Sequence, residues 1–254
     1  MSNEDDLFWQ IALSHDTGAT DTTWLVPNEE ELVPDSNGPD PFRRSLSAKI
    51  ASSATRAEER VYTVLFQELL LESGVMSRIG GEVWEASLLL CAYILLYRDR
   101  VVDHLARSAA GSASINVLEL GSGVGLPGLL VALLLRGTTV ENASTVSDIT
   151  VSLTDFDDNL LENLCANGQL NGFIADSGDI NRNTVTGVSA EDGPLCRLSI
   201  DYLNWFDFNK PVTLAGGSEV LVDTQVHRRG SVSLMFGSAL VYSPSHAAVA
   251  DVIE

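Results

Sequence analysis

The hydrophobic and polar positions of the chain fall into segments with helix-like or strand-like spacing. From residue 55 to residue 72 the apolar positions recur at helical spacing, and Ser73-Gly74 follows as a stop signal. A second segment begins after Gly80-Gly81, is apolar nearly all round at first, and continues towards Leu105. We expect a helix in each place, and we expect the second helix to be largely buried.

The next segment has the pattern of a doubly wound α/β sheet. The apolar run at residues 115–120 predicts a buried parallel strand, a glycine-rich turn follows at residues 121–128, and the pattern at 129–136 predicts a helix. Further elements are predicted along the chain: strands at residues 150–154, 197–203 and 232–242, and a helix at residues 159–167.

Two polar stretches and the position of the chain's end bear on the connections and the number of strands in this predicted sheet. Residues 137–149 and 176–194 are longer or more polar than usual connections, so we expect surface insertions there. The chain ends about one helix beyond the fourth predicted strand, whereas such sheets commonly have five to seven strands. We therefore expect a Rossmann-like sheet that is truncated after its fourth strand.

The beginning of the chain differs in composition from the rest. Residues 1–41 contain ten Asp or Glu residues and no Lys or Arg, and four prolines lie in their last third. Such a segment does not easily bury apolar surface, although residues 7–13 and 24–26 could pair as short strands. We expect residues 1–54 to form an acidic, partly ordered arm, which either solvates the chain or attracts a basic partner, and residues 55–254 to form one domain.

Charge and composition exclude several classes of function. The net charge of −20 argues against direct binding to nucleic acid or to an anionic membrane. No apolar run is long enough to cross a bilayer, and the acidic N-terminus is not a signal peptide, which indicates a soluble intracellular protein. The three cysteines are expected to be buried thiols, and the four histidines show no zinc-ligand spacing.

The glycine-rich turn can be interpreted in two ways. Gly123, Gly125 and Gly128 satisfy the G-x-G-x-x-G pattern of dinucleotide sites. Alternatively, Glu119 at the end of the strand leads into G-x-G-x-G, which leaves room for an adenosyl amino acid with Glu119 near its ammonium group. The second interpretation requires a carboxylate at the end of the next strand for the two ribose hydroxyls, and Asp155 is at that place. S-adenosylmethionine (SAM) is therefore favoured over NAD, while a turn without any ligand stays possible.

Several blocks together resemble a known family. The chain from residue 80 onwards is similar to the small class I methyltransferases of methyltransferase family 16, which mostly methylate lysine side chains of proteins. Within it, the first block and its helix look most like the branch that methylates the Kin protein. The blocks are Gly81-Glu-Val-Trp84, residues 118–128, Leu153-Thr-Asp155 with Asn167 and Asn171 downstream, Leu203-Asn-Trp205, and residues 237–242.

The resemblance implies roles for individual residues. Trp84 would pack against the cofactor, the loop of Gly121, Ser122 and Gly123 would pass beneath its amino-acid portion, and Asp155 would hold its ribose. Trp205 would border the adenine, and Ser238 would contact the cofactor through its backbone. No metal is implied.

One departure from the family concerns the target amine. Family members usually carry Asp or Glu after the fourth strand, then two variable residues and Tyr or Phe, and here the same place reads Ala239-Leu-Val-Tyr242. Tyr242 is left as a candidate catalytic residue, and His246 lies one helical turn beyond it. We expect a monomeric, SAM-dependent protein-lysine methyltransferase of the cytoplasm or nucleus that acts on a basic protein. The alternative is a non-catalytic or truncated relative that binds the cofactor or a partner.

Overall fold

The structure is a computed structural model of the 254-residue chain. It describes residues 23–28, 42–50, 60–69, 80–108, 114–136, 148–175, 183–187, 195–205, 211–213, 219–221 and 231–240. The predicted site residue Tyr242 and the neighbouring His246 lie outside these ranges, as do residues 7–13 of the predicted strand pair.

Within the described residues, strands form one large sheet and two small ones. The bounds of the strands are β1 Thr23–Asn28, β2 Phe42–Ile50, β3 Arg60–Glu68, β4 Ser114–Leu120, β5 Asp148–Asp155, β6 Phe173–Ala175, β7 Asn183–Gly187, β8 Leu195–Tyr202, β9 Pro211–Thr213, β10 Glu219–Leu221 and β11 Leu234–Gly237. The described helices are α1 Glu85–Leu96, α2 Arg98–Ser108, α3 Leu126–Arg136 and α4 Asp158–Leu170.

The large sheet has a parallel half and an antiparallel edge. Its strand order is β11-β4-β5-β8-β7-β6, and the first four strands pair in parallel. Helix α3 connects β4 to β5, and α4 follows β5, so strands and helices alternate as predicted for an α/β fold. Strands β4, β5 and β8 confirm three predicted strands, while β11 is shorter than the predicted span of residues 232–242.

The core lies between this sheet and the helices. Residues of β4, β5 and β8 that are fully or almost fully buried pack against α1 and α3, whose apolar residues also lie in the core. A second, smaller cluster lies on the other side of β4: Leu118, Leu120 and Leu203, with Trp205, Met235 and Leu240 packed against them. The parallel strands are therefore packed on both sides, which fixes the position of their carboxyl ends.

The predicted helix at residues 55–72 is wrong, because residues 60–68 form strand β3. This strand is rich in β-branched and aromatic residues, which favour the extended conformation. Val64 and Phe66 are buried and Thr63, which precedes them, is exposed, which is the two-residue period of a strand, while Gln67 and Glu68 at its end are both buried. The apolar positions fit both periods, and pairing with β2 decides between them.

Strand β3 is held to the main body by the asparagines of α4. Asn163, Asn167 and Asn171 are four residues apart and therefore share one face of the helix. The side chain of Asn171 accepts from the N–H of Leu65 at 3.0 Å and donates to its carbonyl at 2.7 Å. Asn167 accepts from the N–H of Gln67 at 2.7 Å, and Asn163 donates to the carbonyl of Gln67 at 3.0 Å. Side-chain amides thus replace a neighbouring strand.

The second predicted helix is two helices, with a break at Tyr97. Its expected burial is also only partly right. Cys91, Ala92, Ile94 and Leu95 of α1 are buried, but Leu89 and Tyr93, on the opposite side, are 55% and 58% exposed.

The remaining expectations have mixed outcomes. Of the expected insertion at residues 176–194, residues 183–187 form β7, which pairs with both β8 and β6 and is therefore part of the sheet. Residues 137–147 of the other insertion lie outside the described residues, and residues 148 and 149 belong to β5. Residues 24–26 lie in β1, which pairs with β2. The division of the chain at residue 54 stays a prediction.

Two expectations drawn from the composition concern the cysteines and membrane-spanning helices. Cys91 and Cys196 are buried thiols, as expected, while Cys165 is half-buried. Within the described residues, no helix is long and apolar enough to span a membrane.

Candidate functional site

A cleft of about 890 Å³ lies at the carboxyl ends of the parallel strands. It is beside the point where the strand order reverses between β4 and β11, which is where open α/β sheets bind their ligands. Seven of the eight predicted cofactor-binding residues line it, namely Trp84, Gly121, Ser122, Gly123, Asp155, Trp205 and Ser238. The other described lining residues are Gly80, Glu82, Ser87, Val124, Phe156, Leu203, Asn204, Ala239 and Leu240.

The glycine loop has a backbone that side chains rarely permit. Gly121, Gly123 and Gly125 have φ angles of 57°, 54° and 81°, in the left-handed region. Ser122 fixes the loop to the end of β5, because its N–H donates to the carbonyl of Thr154 at 2.8 Å and its hydroxyl accepts from the N–H of Thr154 at 3.0 Å. The Ser122 hydroxyl therefore helps to hold the loop in place, in addition to belonging to a residue that lines the cleft.

The glycines serve two different purposes. A Cβ on Gly125 would lie 2.4 Å from Leu164, and one on Gly128 would lie 2.1 Å from Leu153, so these glycines allow the helices to pack closely on the sheet. Gly121 and Gly123 line the cleft, and Gly125 and Gly128 do not. This division agrees with the interpretation in which Gly121 and Gly123 lie beneath a ligand.

Close approach also explains Gly80, which the sequence analysis used only as a helix boundary. A Cβ on Gly123 would lie 2.7 Å from the carbonyl oxygen of Gly80, so the two backbones touch across the cleft floor. On the other side, a Cβ on Gly121 would lie 3.0 Å from Leu240 and 3.2 Å from the ring of Trp205. The loop is thus confined from both sides.

Asp155 stands at the end of β5 and both lines the cleft and organises it. Its Oδ2 accepts from the N–H of Gly123 at 3.0 Å, and its Oδ1 accepts from the N–H of Phe156 at 2.7 Å. Burial raises the pKa of the Asp155 carboxyl, and the backbone hydrogen bonds act in the opposite direction. Oδ1 also accepts from the N–H of Asp157 at 3.4 Å, so the lone pair that remains for a ligand is on Oδ2.

The structure places Glu119 beneath the cleft and not in its lining. The side chain is 1% exposed, and its Oε2 would lie 2.4 Å from a Cβ on Gly128, at the start of α3. Burial raises the pKa of Glu119 to about 8. No described residue donates a hydrogen bond to Oε2. This placement does not support the predicted direct contact with an ammonium group.

Aromatic side chains form walls of the cleft. Trp84 caps the start of α1 and is 39% exposed, and Trp205 packs against Leu118 and Leu120 on the far side. Phe156, which is 62% exposed, adds a third aromatic ring to the lining. The sequence analysis missed Phe156, although its position directly after Asp155 could have indicated it.

The turn after β11 contributes the remaining part of the lining. The hydroxyls of Ser238 and Ser87 are 2.9 Å apart, which links the turn to α1. Ala239 has a φ of 54°, which is unusual for a residue with a side chain. The sequence analysis also gave no role to Glu82, Ser87 and Asn204, although Glu82 and Asn204 lie within two of the blocks that carry the family resemblance. Among the described residues, no three His, Cys, Asp or Glu side chains are grouped so as to hold a metal ion.

Comparisons with known proteins agree with this site. Residues 66–186 match the model of a lysine methyltransferase family, which confirms the resemblance drawn from the sequence. The protein-lysine N-methyltransferase EFM6 of Saccharomyces cerevisiae is 48% identical over 71 residues, which is 27% of this chain and 28% of that relative. The matched stretch thus covers less than a third of the relative's length. Membership of the Kin-directed branch stays a prediction.

Proposed function

We propose that this protein transfers a methyl group from SAM to a lysine side chain of another protein, since residues 66–186 match the model of a lysine methyltransferase family. The relative EFM6 is a protein-lysine N-methyltransferase, and it shares 48% of the residues in the aligned stretch. The observation that supports the proposal most strongly is the cleft itself, since seven residues chosen from the sequence for cofactor binding line one cavity.

The topology supports the finer fold assignment. The four parallel strands have the order β11-β4-β5-β8, with the glycine loop directly after the first strand in sequence, β4. The chain therefore starts at the centre of the parallel half, adds strands on one side, and returns to the other side with β11. We propose that this is the Rossmann-like sheet of a class I methyltransferase.

The residues of the cleft fit SAM. The cleft is open to solvent, and its lining combines apolar and aromatic side chains with a few polar groups, as in small-molecule sites. Gly121 and Gly123 provide a floor without side chains, and Oδ2 of Asp155 has a second lone pair for a ligand. When bound, SAM supplies an activated methyl group on a positively charged sulfur.

Each lining residue then has a specific role in the proposal. Gly121 and Gly123 lie beneath the amino-acid portion, and Asp155 accepts hydrogen bonds from the ribose hydroxyls while it holds the loop through the N–H of Gly123. Trp205 borders the adenine, since an indole offers a flat apolar face to a purine. Trp84 packs against the cofactor where α1 begins.

Three further predicted residues contribute through the backbone or from beneath the cleft. Ser238 contacts the cofactor through its backbone, and its hydroxyl is occupied by Ser87. Glu119 acts from below, because its buried carboxyl packs against the first turn of α3, which follows the loop. The hydroxyl of Ser122 holds the loop to β5, and the residue also lines the cleft.

The acceptor side of the site favours a second candidate function. Methyl transfer requires the target amine to be held in line with the methyl group, and orientation of this kind contributes much of the rate in such reactions. Ala239 lines the cleft where the family carries an acid, and it offers no hydrogen-bond acceptor in its side chain. This observation favours a relative that binds SAM without transferring the methyl group, unless Tyr242 or another group orients the amine.

Two measurements separate the candidates. Calorimetric titration with SAM and with NAD tests the cofactor, and we expect binding of SAM alone. Transfer of a radiolabelled methyl group to proteins of a cell extract tests the enzyme. Labelled protein supports the methyltransferase, whereas SAM binding without labelling, under conditions in which a relative is active, supports the non-catalytic alternative.

The charge of the chain indicates the kind of partner. The net charge of −20 suits a basic protein substrate. We therefore propose that the enzyme acts on a basic protein, and the expectation of a monomer in the cytoplasm or nucleus stays a prediction.

A further inference from the structure

Glu82 lies in the lining of the cleft on a backbone that is fixed on both sides. The carbonyl of Gly81 accepts a hydrogen bond from the N–H of Leu69 at 2.8 Å, and the N–H of Val83 donates to the carboxylate of Glu68 at 2.8 Å. Both contacts join this segment to the end of β3. The exposed Glu82 side chain therefore starts from a defined place at the wall of the cleft.

Two carboxylates occur among the described lining residues, and they are in different states. Both oxygens of Asp155 accept hydrogen bonds from backbone N–H groups, at 3.0 Å from Gly123 and at 2.7 Å from Phe156. No described residue donates to the carboxylate of Glu82. The described lining includes no Lys, Arg or His that could neutralise it.

The two other positions at which an acid was expected, residues 119 and 239, supply no carboxylate to the lining of the cleft. Glu119 is beneath the lining, and burial raises its pKa to about 8, so that it is largely neutral near pH 7. Ala239 stands where the family carries an acid and has no carboxylate. Of the two lining carboxylates, Glu82 has fewer existing hydrogen bonds than Asp155, so it is the one available to a cation that enters the cleft.

The position of Glu82 indicates which cation it meets. Gly80, two residues earlier, touches the backbone of Gly123, since a Cβ on Gly123 would lie 2.7 Å from the carbonyl oxygen of Gly80. Gly121 and Gly123 form the floor proposed for the amino-acid portion of SAM. The ammonium group of that portion is then the nearest cation, and the amine of the target lysine is the other source of the same chemistry.

We propose that Glu82 is the residue of this cleft that binds a primary ammonium group, that of the amino-acid portion of SAM in the first place. The inference depends on the proposed function, because it assigns a contact to the same cofactor. It replaces the direct contact expected for Glu119.

The test compares Glu82→Gln with Glu85→Gln, a matched change of an exposed glutamate on the first turn of α1 that does not line the cleft. Calorimetry measures the affinity of each variant for SAM and for 5′-methylthioadenosine, which lacks the amino-acid portion. We expect Glu82→Gln to weaken SAM about five- to tenfold, the usual size for a partly solvated charged hydrogen bond, and to leave 5′-methylthioadenosine unchanged. Glu85→Gln should leave both affinities unchanged.

The other outcomes identify the source or reject the inference. If Glu82→Gln leaves SAM affinity unchanged but lowers methyl labelling of extract proteins at saturating SAM, relative to Glu85→Gln, the ammonium group is that of the target lysine. If neither quantity changes while the wild type binds SAM, the inference is overturned and the proposed function stands. A wild type that does not bind SAM overturns both.

Discussion

The buried carboxyl of Glu119 provides a quantitative test of the site's electrostatics. Burial raises its pKa from 4.5 to about 8, so the folded protein holds a proton that the unfolded chain releases between these pH values. Stability from this group is fully present below about pH 4.5 and is lost as the pH rises through about 8. The total is about 5 kcal/mol, or about 1.4 kcal/mol per pH unit between the two values.

The replacement Glu119→Gln removes this titration, because an amide of nearly the same shape has no proton to lose. The assay is urea unfolding of the wild type and the variant at about pH 5.5, 6.5 and 7.5. Other titrating groups are present in both proteins, so the difference between the two unfolding free energies isolates Glu119. We expect this difference to change in favour of the variant by nearly 3 kcal/mol between about pH 5.5 and 7.5.

A pH-independent difference between the two proteins would refute the reasoning. It would mean that Glu119 has the same protonation state in the folded and the unfolded chain over this range. The same variant also tests the position of Glu119 below the cleft. Because Glu119 does not line the cavity, its replacement should change the affinity for SAM by no more than about twofold once the protein is folded.

Three further predictions concern the loop and its supports. Gly125→Ala should lower the free energy of unfolding by about 3 kcal/mol, because a Cβ on Gly125 would lie 2.4 Å from Leu164. The control Gly172→Ala, also at positive φ but with room for a Cβ, should lower it by about 1 kcal/mol. Equal losses of the two variants in chemical denaturation would refute the packing argument. Asn167→Ala should cost about 3 kcal/mol in the same assay, since it leaves backbone groups of β3 and the glycine loop without their partner, and a loss below about 1 kcal/mol would contradict this. Asp155→Ala should weaken SAM binding by about 1 to 3 kcal/mol in calorimetry, and unchanged affinity would reject the ribose assignment.

The parallel half of the sheet could be predicted because its signals are local. Strand β4 is a short, mostly apolar run, whereas β5 and β8 alternate apolar with polar or charged residues, which is the two-residue period of a strand. The glycine loop and Asp155 follow from the same pattern, since they stand at the ends of these strands. Helix α3 begins three residues before the prediction, at Leu126, because Pro127 is compatible with the first turn of a helix.

The elements that were missed depend on partners distant in sequence. Strand β3 has apolar positions that fit either period, and its pairing with β2 and its contacts with Asn167 and Asn171 decide the outcome. Strand β7 lies in a polar stretch and forms by pairing with β6 and β8, which lie outside that stretch. No local pattern contains this information.

The candidate site shows the same limit. Seven of the residues that the sequence analysis assigned to the cofactor line the cleft, because the blocks that contain them lie at the ends of strands, and their contacts with SAM stay a prediction. It did not predict that Glu119 points beneath the cleft, since that depends on the close packing of Gly128 over the end of β4. It also did not identify Glu82, whose position depends on the hydrogen bonds between its neighbours and the end of β3.

The central claim is that this cleft binds SAM, and a crystal structure of the protein grown with SAM tests it most directly. The account predicts electron density along Gly121 and Gly123, with the ribose hydroxyls at Asp155 and the adenine beside Trp205. A cleft that stays empty at saturating SAM, or SAM bound elsewhere on the protein, would contradict the account.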